Sequence, residues 1–98
     1  LGVPRLVLRR SELAALGLLL ERKGEWLSAR GLVELGYPYS LRTARKALRR
    51  LAELGLAEEK RVGGVRYYRA ERVGEGLAEA ARRELRGELG MTAEREKP

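Results

Sequence analysis

Cationic side chains are the groups in this sequence best suited to binding a ligand, and their densest cluster lies between residues 42 and 50. The cluster consists of Arg42, Arg45, Lys46, Arg49 and Arg50. No acidic residue occurs between Glu34 and Glu53. Guanidinium and ammonium groups bind phosphates and the acceptor atoms of guanine. The cluster therefore predicts an anionic partner.

The overall charge points the same way. The 98 residues include 21 Lys and Arg against 14 acidic residues, which gives a net charge of +7. Such a balance favours nucleic acid as the partner first, and an acidic membrane or protein second.

The composition argues against most kinds of reactive site. The chain has no Cys and no His, which excludes disulfides, thiolate nucleophiles, the usual zinc sites and Ser–His triads. Every acidic residue is Glu, which argues against carboxylate-rich Mg²⁺ or Ca²⁺ sites. Glu, Lys, Tyr and Ser show no spacing that gathers them into a reactive site. We therefore expect no enzyme activity, no metal and no cofactor.

The longest apolar stretch, Leu13 to Leu20, is far shorter than the roughly 20 residues that a membrane span needs. The first residues also lack the layout of a signal peptide. We therefore expect a cytoplasmic protein without a membrane partner. The absence of Asn, Gln and Cys is typical of a thermophile.

Hydrophobic periodicity and turn residues predict four helices and one hairpin. Ser11, Ser28 and Ser40 are suited to cap helices over 11–23, 29–35 and 41–54. A short extended bridge is expected at 25–27, a hairpin over 56–70 that turns at Gly63-Gly64, and a last helix over 73–89. The second helix is expected to face inward through Leu32, Val33 and Leu35. On a helical wheel, the cationic cluster lies opposite an apolar face made of Ala44, Ala47, Leu48, Leu51 and Leu54.

Residues 28–70 resemble the winged helix-turn-helix of bacterial and archaeal transcription regulators. The stretch ALRRLAELGLAEEKRVGGVRYYRA, residues 47–70, resembles the recognition helix and wing of the MarR-type and PadR-type families. The chain lacks the long N-terminal dimer helix of typical MarR-type proteins, and its single terminal helix is closer to the small PadR-type regulators. The resemblance implies an α+β, mainly α, winged helix-turn-helix with a C-terminal helix. It implies a sequence-specific regulator that binds double-stranded DNA, as a repressor.

The implied organisation has four parts. These are an N-terminal arm (1–10), the DNA-binding domain (11–72), a C-terminal helix for dimerisation (73–90) and a flexible tail (91–98).

The first turns of a recognition helix reach base edges in the major groove. We expect Arg42, Thr43, Arg45 and Lys46 to contact bases, and Arg49, Arg50, Ser28 and Ser40 to contact the backbone. Asn and Gln, which read adenine, are missing, so direct readout is expected to favour G·C pairs. The alternative is a basic face that is merely solvated.

The hairpin offers a second cationic group, the wing residues Lys60, Arg61, Arg66 and Arg69. We expect them to contact the DNA backbone or the minor groove, with Arg61 and Arg66 nearest the tip. An ordinary solvated hairpin is the alternative.

The aromatic residues have several candidate roles. One of Tyr67 and Tyr68 should pack in the core. Tyr37 and Tyr39 could bind phosphate or pack the turn, and Trp26 is expected to anchor the core or an interface.

The last helix carries an apolar stripe of Leu77, Ala81, Leu85 and Leu89, which predicts a homodimer contact. Packing onto its own domain is the alternative.

Two other functions compete with specific regulation: a winged helix that docks on another protein, and a non-specific architectural DNA-binding protein. No motif indicates a small-molecule effector.

Overall fold

The computed structural model describes the backbone of residues 7–96 and the side chains of residues 7–87. The elements follow in the order α1 (Arg10–Glu21), α2 (Ala29–Glu34), α3 (Leu41–Glu53), β1 (Ala57–Val62), β2 (Val65–Ala70) and α4 (Glu75–Glu96). This is a winged helix-turn-helix with a C-terminal helix, as the sequence predicts. No helix among the described residues is long and apolar enough to cross a membrane.

Helix α1 begins at Arg10, one residue before the predicted cap. The carboxylate of Glu12 accepts a hydrogen bond of 2.8 Å from the backbone N–H of Arg9, which satisfies a donor at the helix start. Ser11 therefore lies inside the first turn, and the prediction that it caps the helix is wrong.

The helix-turn-helix pair has the caps that the sequence predicts. The hydroxyl of Ser28 accepts from Gly31 N–H at 3.0 Å, and that of Ser40 accepts from Thr43 N–H at 3.1 Å. In α2, Leu32 is fully buried, whereas Val33 is 37% exposed, so the prediction that Val33 faces inward is wrong.

Tyr37 fastens the turn between α2 and α3 to α1. Its hydroxyl donates to the carbonyl oxygen of Ser11 at 2.8 Å, and its ring meets that of Tyr39 edge-on at 5.5 Å. Burial raises the pKa of the Tyr37 hydroxyl well above its usual value, and the neighbouring Tyr39 and Glu12 raise it further. Of the two roles left open for Tyr37, the structure shows packing.

Strands β1 and β2 pair antiparallel from Ala57–Ala70 at the base to Val62–Val65 at the tip. Gly63 and Gly64 both have positive φ, at 57° and 84°, as a tight two-residue hairpin turn requires. At the base, Leu27 and Tyr68 exchange two backbone hydrogen bonds of 2.8 Å. The predicted extended bridge is therefore a one-residue third strand that ties the wing to the domain.

The core lies where α1, α2 and α3 meet. On these three helices the fully buried leucines are Leu16, Leu19, Leu32, Leu48 and Leu51, and Leu85 of α4 joins the same core. Alanines allow the helices to approach closely, among them Ala44 and Ala47 on α3. Apart from Leu54, which is half-buried, the predicted apolar face of α3 is buried as expected.

Helix α4 packs along α1 of the same chain. Ala81 and Leu85 are buried there at 0% and 2% exposure, and Leu77 is half-buried against the same core. This corrects the predicted dimer contact at Ala81 and Leu85, because their apolar surface is already covered by α1. Leu89 lies outside the described side chains, and the homodimer stays a prediction.

The helix continues to Glu96, past the predicted end at Leu89 and into the segment expected to be a tail. Residues 1–6 of the predicted arm and residues 97–98 lie outside the described part of the chain.

Gly17 sets the closeness of α1 to α4. A Cβ at Gly17 would lie 2.8 Å from the carbonyl oxygen of Ala81 and 3.3 Å from Cβ of Leu85. We therefore expect Gly17→Ala to lower the free energy of unfolding by about 1–3 kcal/mol, since α4 must shift. Thermal denaturation followed by circular dichroism measures this effect.

Gly87→Ala is the matched control, since Gly87 is exposed on α4 with nothing within 4 Å of an added Cβ. It should stabilise the protein by about 0.5–1 kcal/mol through helix propensity. A stabilising effect of both substitutions would contradict the close α1–α4 contact.

Candidate nucleic-acid interface

The outer face of α3 presents five cations to solvent. Arg42, Arg45, Lys46, Arg49 and Arg50 are all exposed. None of them forms an ion pair with another residue whose side chain the structure describes. The segregation follows from the helical period, because the opposite face fills the core. The face therefore carries a concentrated positive charge that no ion pair within the described part of the chain neutralises.

This face forms a ridge between two hollows. The wing hollow, of about 660 Å³, lies between α3, the start of α2 and the hairpin, and Arg45 and Arg49 border it. The N-terminal hollow, of about 760 Å³, lies on the other side of α3, where Arg42, Lys46 and Arg50 face Val7, Arg9 and Glu12. Arg45 and Arg49 border both hollows. A helix that stands out in this way has the shape needed to enter the major groove.

The inner face of the wing adds charge to the wing hollow. Arg61 and Arg66 are direct partners in the hairpin register, and both border this hollow. Like charges opposite each other destabilise a hairpin. Arg66 lies 3.8 Å from the carboxylate of Glu59, whereas Arg61 forms no ion pair within the described part of the chain. In the wing hollow the structure therefore gathers two of the four predicted wing residues with α3, and a third, Lys60, borders a separate hollow together with Arg49.

The other two wing residues, Lys60 and Arg69, lie against Trp26 and do not line the wing hollow. Nζ of Lys60 and Cζ of Arg69 are each 4.4 Å from the centroid of the Trp26 ring. Nη2 of Arg69 also lies 2.6 Å from the carboxylate of Glu58. Cation–π contacts of this kind contribute roughly 0.5–1 kcal/mol at exposed sites. Trp26 is half-buried and packs against the outer face of the wing, so the core anchor is not observed and the predicted interface anchor stays a prediction.

The hydroxyl-bearing residues predicted for DNA are occupied in capping. Ser28 caps α2 and borders the wing hollow. Ser40 caps α3 and donates to the hydroxyl oxygen of Thr43 at 3.1 Å, and Thr43 is half-buried. Capping accounts for the side chains of Ser28 and Ser40, and Thr43 pairs with the second of them. The contacts of all three with DNA stay predictions.

The two adjacent tyrosines divide as the sequence predicts. Tyr68 is buried in the core at 4% exposure, and burial together with the neighbouring Glu59 raises the pKa of its hydroxyl. Tyr67 is half-buried and borders the wing hollow.

Sequence reasoning missed Arg30, which lies in the first turn of α2 and borders the wing hollow. A cation there opposes the helix dipole, which favours negative charge at an N-terminus. Neither α2 nor α3 has an acidic residue in its first turn, whereas α1 has Glu12 and α4 has Glu75. This unfavourable placement was a signal in the sequence that could have identified Arg30. Arg9, which borders the N-terminal hollow, carries no such signal.

No protein-family model and no curated protein matches the chain. Among solved structures, the crystal structure of SSV1 F-93 is similar. It shares 14% sequence identity, and the match covers 89% of this chain and 97% of that one with a TM-score of 0.58. At this identity the match shows the fold alone, and it agrees with the winged helix-turn-helix seen in the element order. The resemblance to MarR-type and PadR-type regulators stays a prediction.

Proposed function

We propose that the protein binds double-stranded DNA sequence-specifically and regulates transcription, with α3 in the major groove and the wing on the backbone or minor groove. The observation that carries this proposal is the ridge of five exposed cations on α3, which lies between two hollows and forms no ion pair with the described side chains. The hollows leave room for the two phosphate walls of a groove when the ridge enters it. Arg61 and Arg66 then face the wall on the wing side.

The charge distribution favours a DNA-binding role for this face over that of an ordinary solvated surface. Arg45, Arg49, Arg61 and Arg66 border one hollow, and the described side chains offer only a long ion pair to Arg66. Their mutual repulsion decreases when an anion enters. A duplex supplies a row of phosphates at fixed spacing, which matches several cations at once.

The finer parts of the proposal rest on the resemblance and the geometry together. We assign base contacts to Arg42, Arg45 and Lys46, since they lie in the first two turns of α3. A MarR-type or PadR-type repressor in the cytoplasm is the regulator class that the helix order and wing support. Docking on an acidic protein and architectural DNA binding are outcomes of the experiments below.

A gel-shift titration with random-sequence and selected duplexes at several salt concentrations tests the function. We expect binding whose affinity falls with salt by about 0.9 log units per log unit for each neutralised phosphate, roughly 3.6 for four contacts. Absence of duplex binding at low salt would refute the proposal and favour a protein partner. Salt-dependent binding without sequence preference would indicate an architectural role.

Two arginine variants separate base contacts from phosphate contacts. Arg45→Ala should cost about 1–3 kcal/mol at one position of the site and relax the preference there. Arg50→Ala should weaken binding to all duplexes equally and reduce the salt slope by about 1. Selection from random duplexes measures both, and the wild-type core should be rich in G·C.

Equal weakening of all sequences by both variants would show that Arg45 is not a base contact. An A·T-only core without a narrowed minor groove would refute the G·C preference.

A further inference from the structure

Two carboxylates, Glu53 on α3 and Glu59 on the wing, border a third hollow of about 650 Å³, the joint hollow, together with Arg49, Lys60, Arg61 and Arg66. Of these two carboxylates, Glu59 lies on the inner face of β1 and is the one paired with a wing arginine. It belongs to none of the groups that the sequence assigns to DNA. Since phosphates are expected in this region, a fixed negative charge here has a direct effect on DNA binding.

Two contacts define how Glu59 is held. Its Oε2 accepts a hydrogen bond of 2.9 Å from the hydroxyl of buried Tyr68, which anchors the carboxylate to the core side of the wing. The same oxygen lies 3.8 Å from Nε of Arg66, and the side chains of Glu59 and Arg66 are 39% and 40% exposed. A long, solvated ion pair of this kind contributes only about 0–1 kcal/mol. The carboxylate is therefore anchored by a hydrogen bond, while its ion pair with Arg66 is weak.

The carboxylate of Glu59 reduces the repulsion between the wing arginines when no DNA is bound. Arg61 and Arg66 stand opposite each other in the hairpin, and Arg49 borders the same joint hollow. A carboxylate beside them offsets this repulsion when no ligand is present. In a DNA complex the phosphates supply that compensation, and the anchored carboxylate then repels them.

We propose that Glu59 limits the affinity of the wing for DNA by competing with phosphates for Arg66. Because the contact of the wing with the backbone is independent of sequence, Glu59 lowers the affinity for random and specific duplexes alike. This inference rests on the proposed function, since it concerns the same DNA-binding surface.

Glu58 provides a matched control for the test. It is the preceding residue on β1, points to the outer face and pairs with Arg69 at 2.6 Å. Glu59→Gln and Glu58→Gln change the net charge by the same amount, but only the first acts at the joint hollow. Glutamine at 59 keeps an acceptor for the Tyr68 hydroxyl.

The experiment is a salt titration of binding to a random-sequence duplex and to a selected duplex. We expect E59Q to bind random duplex about fivefold to tenfold more tightly than wild type, with a salt slope steeper by up to about 0.9. The selected duplex should gain affinity by a similar factor, because the backbone contact is common to both complexes. E58Q should change each affinity less than about twofold, as expected for a charge that is paired on the outer face and lies away from the duplex.

A double variant tests the route through Arg66. In an Arg66→Ala background, the gain from E59Q should largely disappear, because the competed cation is absent. Glu59→Ala should tighten random binding in the same direction as E59Q. Thermal denaturation verifies that each variant is folded.

The inference is overturned if E59Q gains no more affinity than E58Q, which would mean that net charge alone matters, or if E59Q and E59A bind more weakly, which would mean a structural role. In either case wild-type protein still binds duplex and the proposed function stands. Failure of wild type to bind duplex would instead refute the proposed function.

Discussion

Repulsion among cations on one side of the molecule is the constraint on which the rest of the structure depends. Five cations on α3 and two on the inner face of the wing border hollows on this side. Among the described side chains, the single ion pair formed with these cations is the long one between Arg66 and Glu59. This repulsion disfavours the folded state. The opposite face of α3 must therefore supply the stability, and it does so through buried Leu48 and Leu51 against α1 and α2. Small alanines beside them allow the close packing that a domain of this size requires.

The same division appears at the helix starts. Helices α1 and α4, which pack against each other, carry Glu12 and Glu75 in their first turns, where the dipole favours negative charge. Helices α2 and α3, which border the wing hollow, carry Arg30 and Arg42 there instead. Side-chain caps at Ser28 and Ser40 maintain these starts despite the unfavourable charge. The starts of α2 and α3 are therefore less stable than those of α1 and α4, and a bound anion would offset the unfavourable charge there.

The elements of the fold could be predicted from the sequence, but not all of their neighbours. Period, caps and the Gly63-Gly64 turn indicate the helix order, the hairpin and the two faces of α3, because residues close in the chain decide each of these. The apolar stripe on α4 was equally visible, but whether α1 or a second chain covers Ala81 depends on the close approach at Gly17, far away in sequence. The candidate site shows the same limit. Alternation in the hairpin predicts that Lys60 and Arg61 lie on opposite faces, but it does not say which face meets α3.

The pairing of Leu27 with Tyr68 makes that choice, because it fixes the core face of the hairpin and leaves the outer face to Trp26. The sequence predicts the extended bridge at 25–27, but a one-residue pairing leaves no periodic signal that identifies its partner, so its consequences could not be derived from the sequence. The bridge also determines how much of the interface is ordered before a ligand arrives. Tyr68 holds the base of the wing from the core side and Trp26 holds it from the outer side, so the folded domain largely sets the distance of Arg61 and Arg66 from α3. Conformational entropy that binding would otherwise remove is already removed on folding, which favours affinity from a small surface. The contacts that keep the domain folded therefore also place the wing cations beside α3.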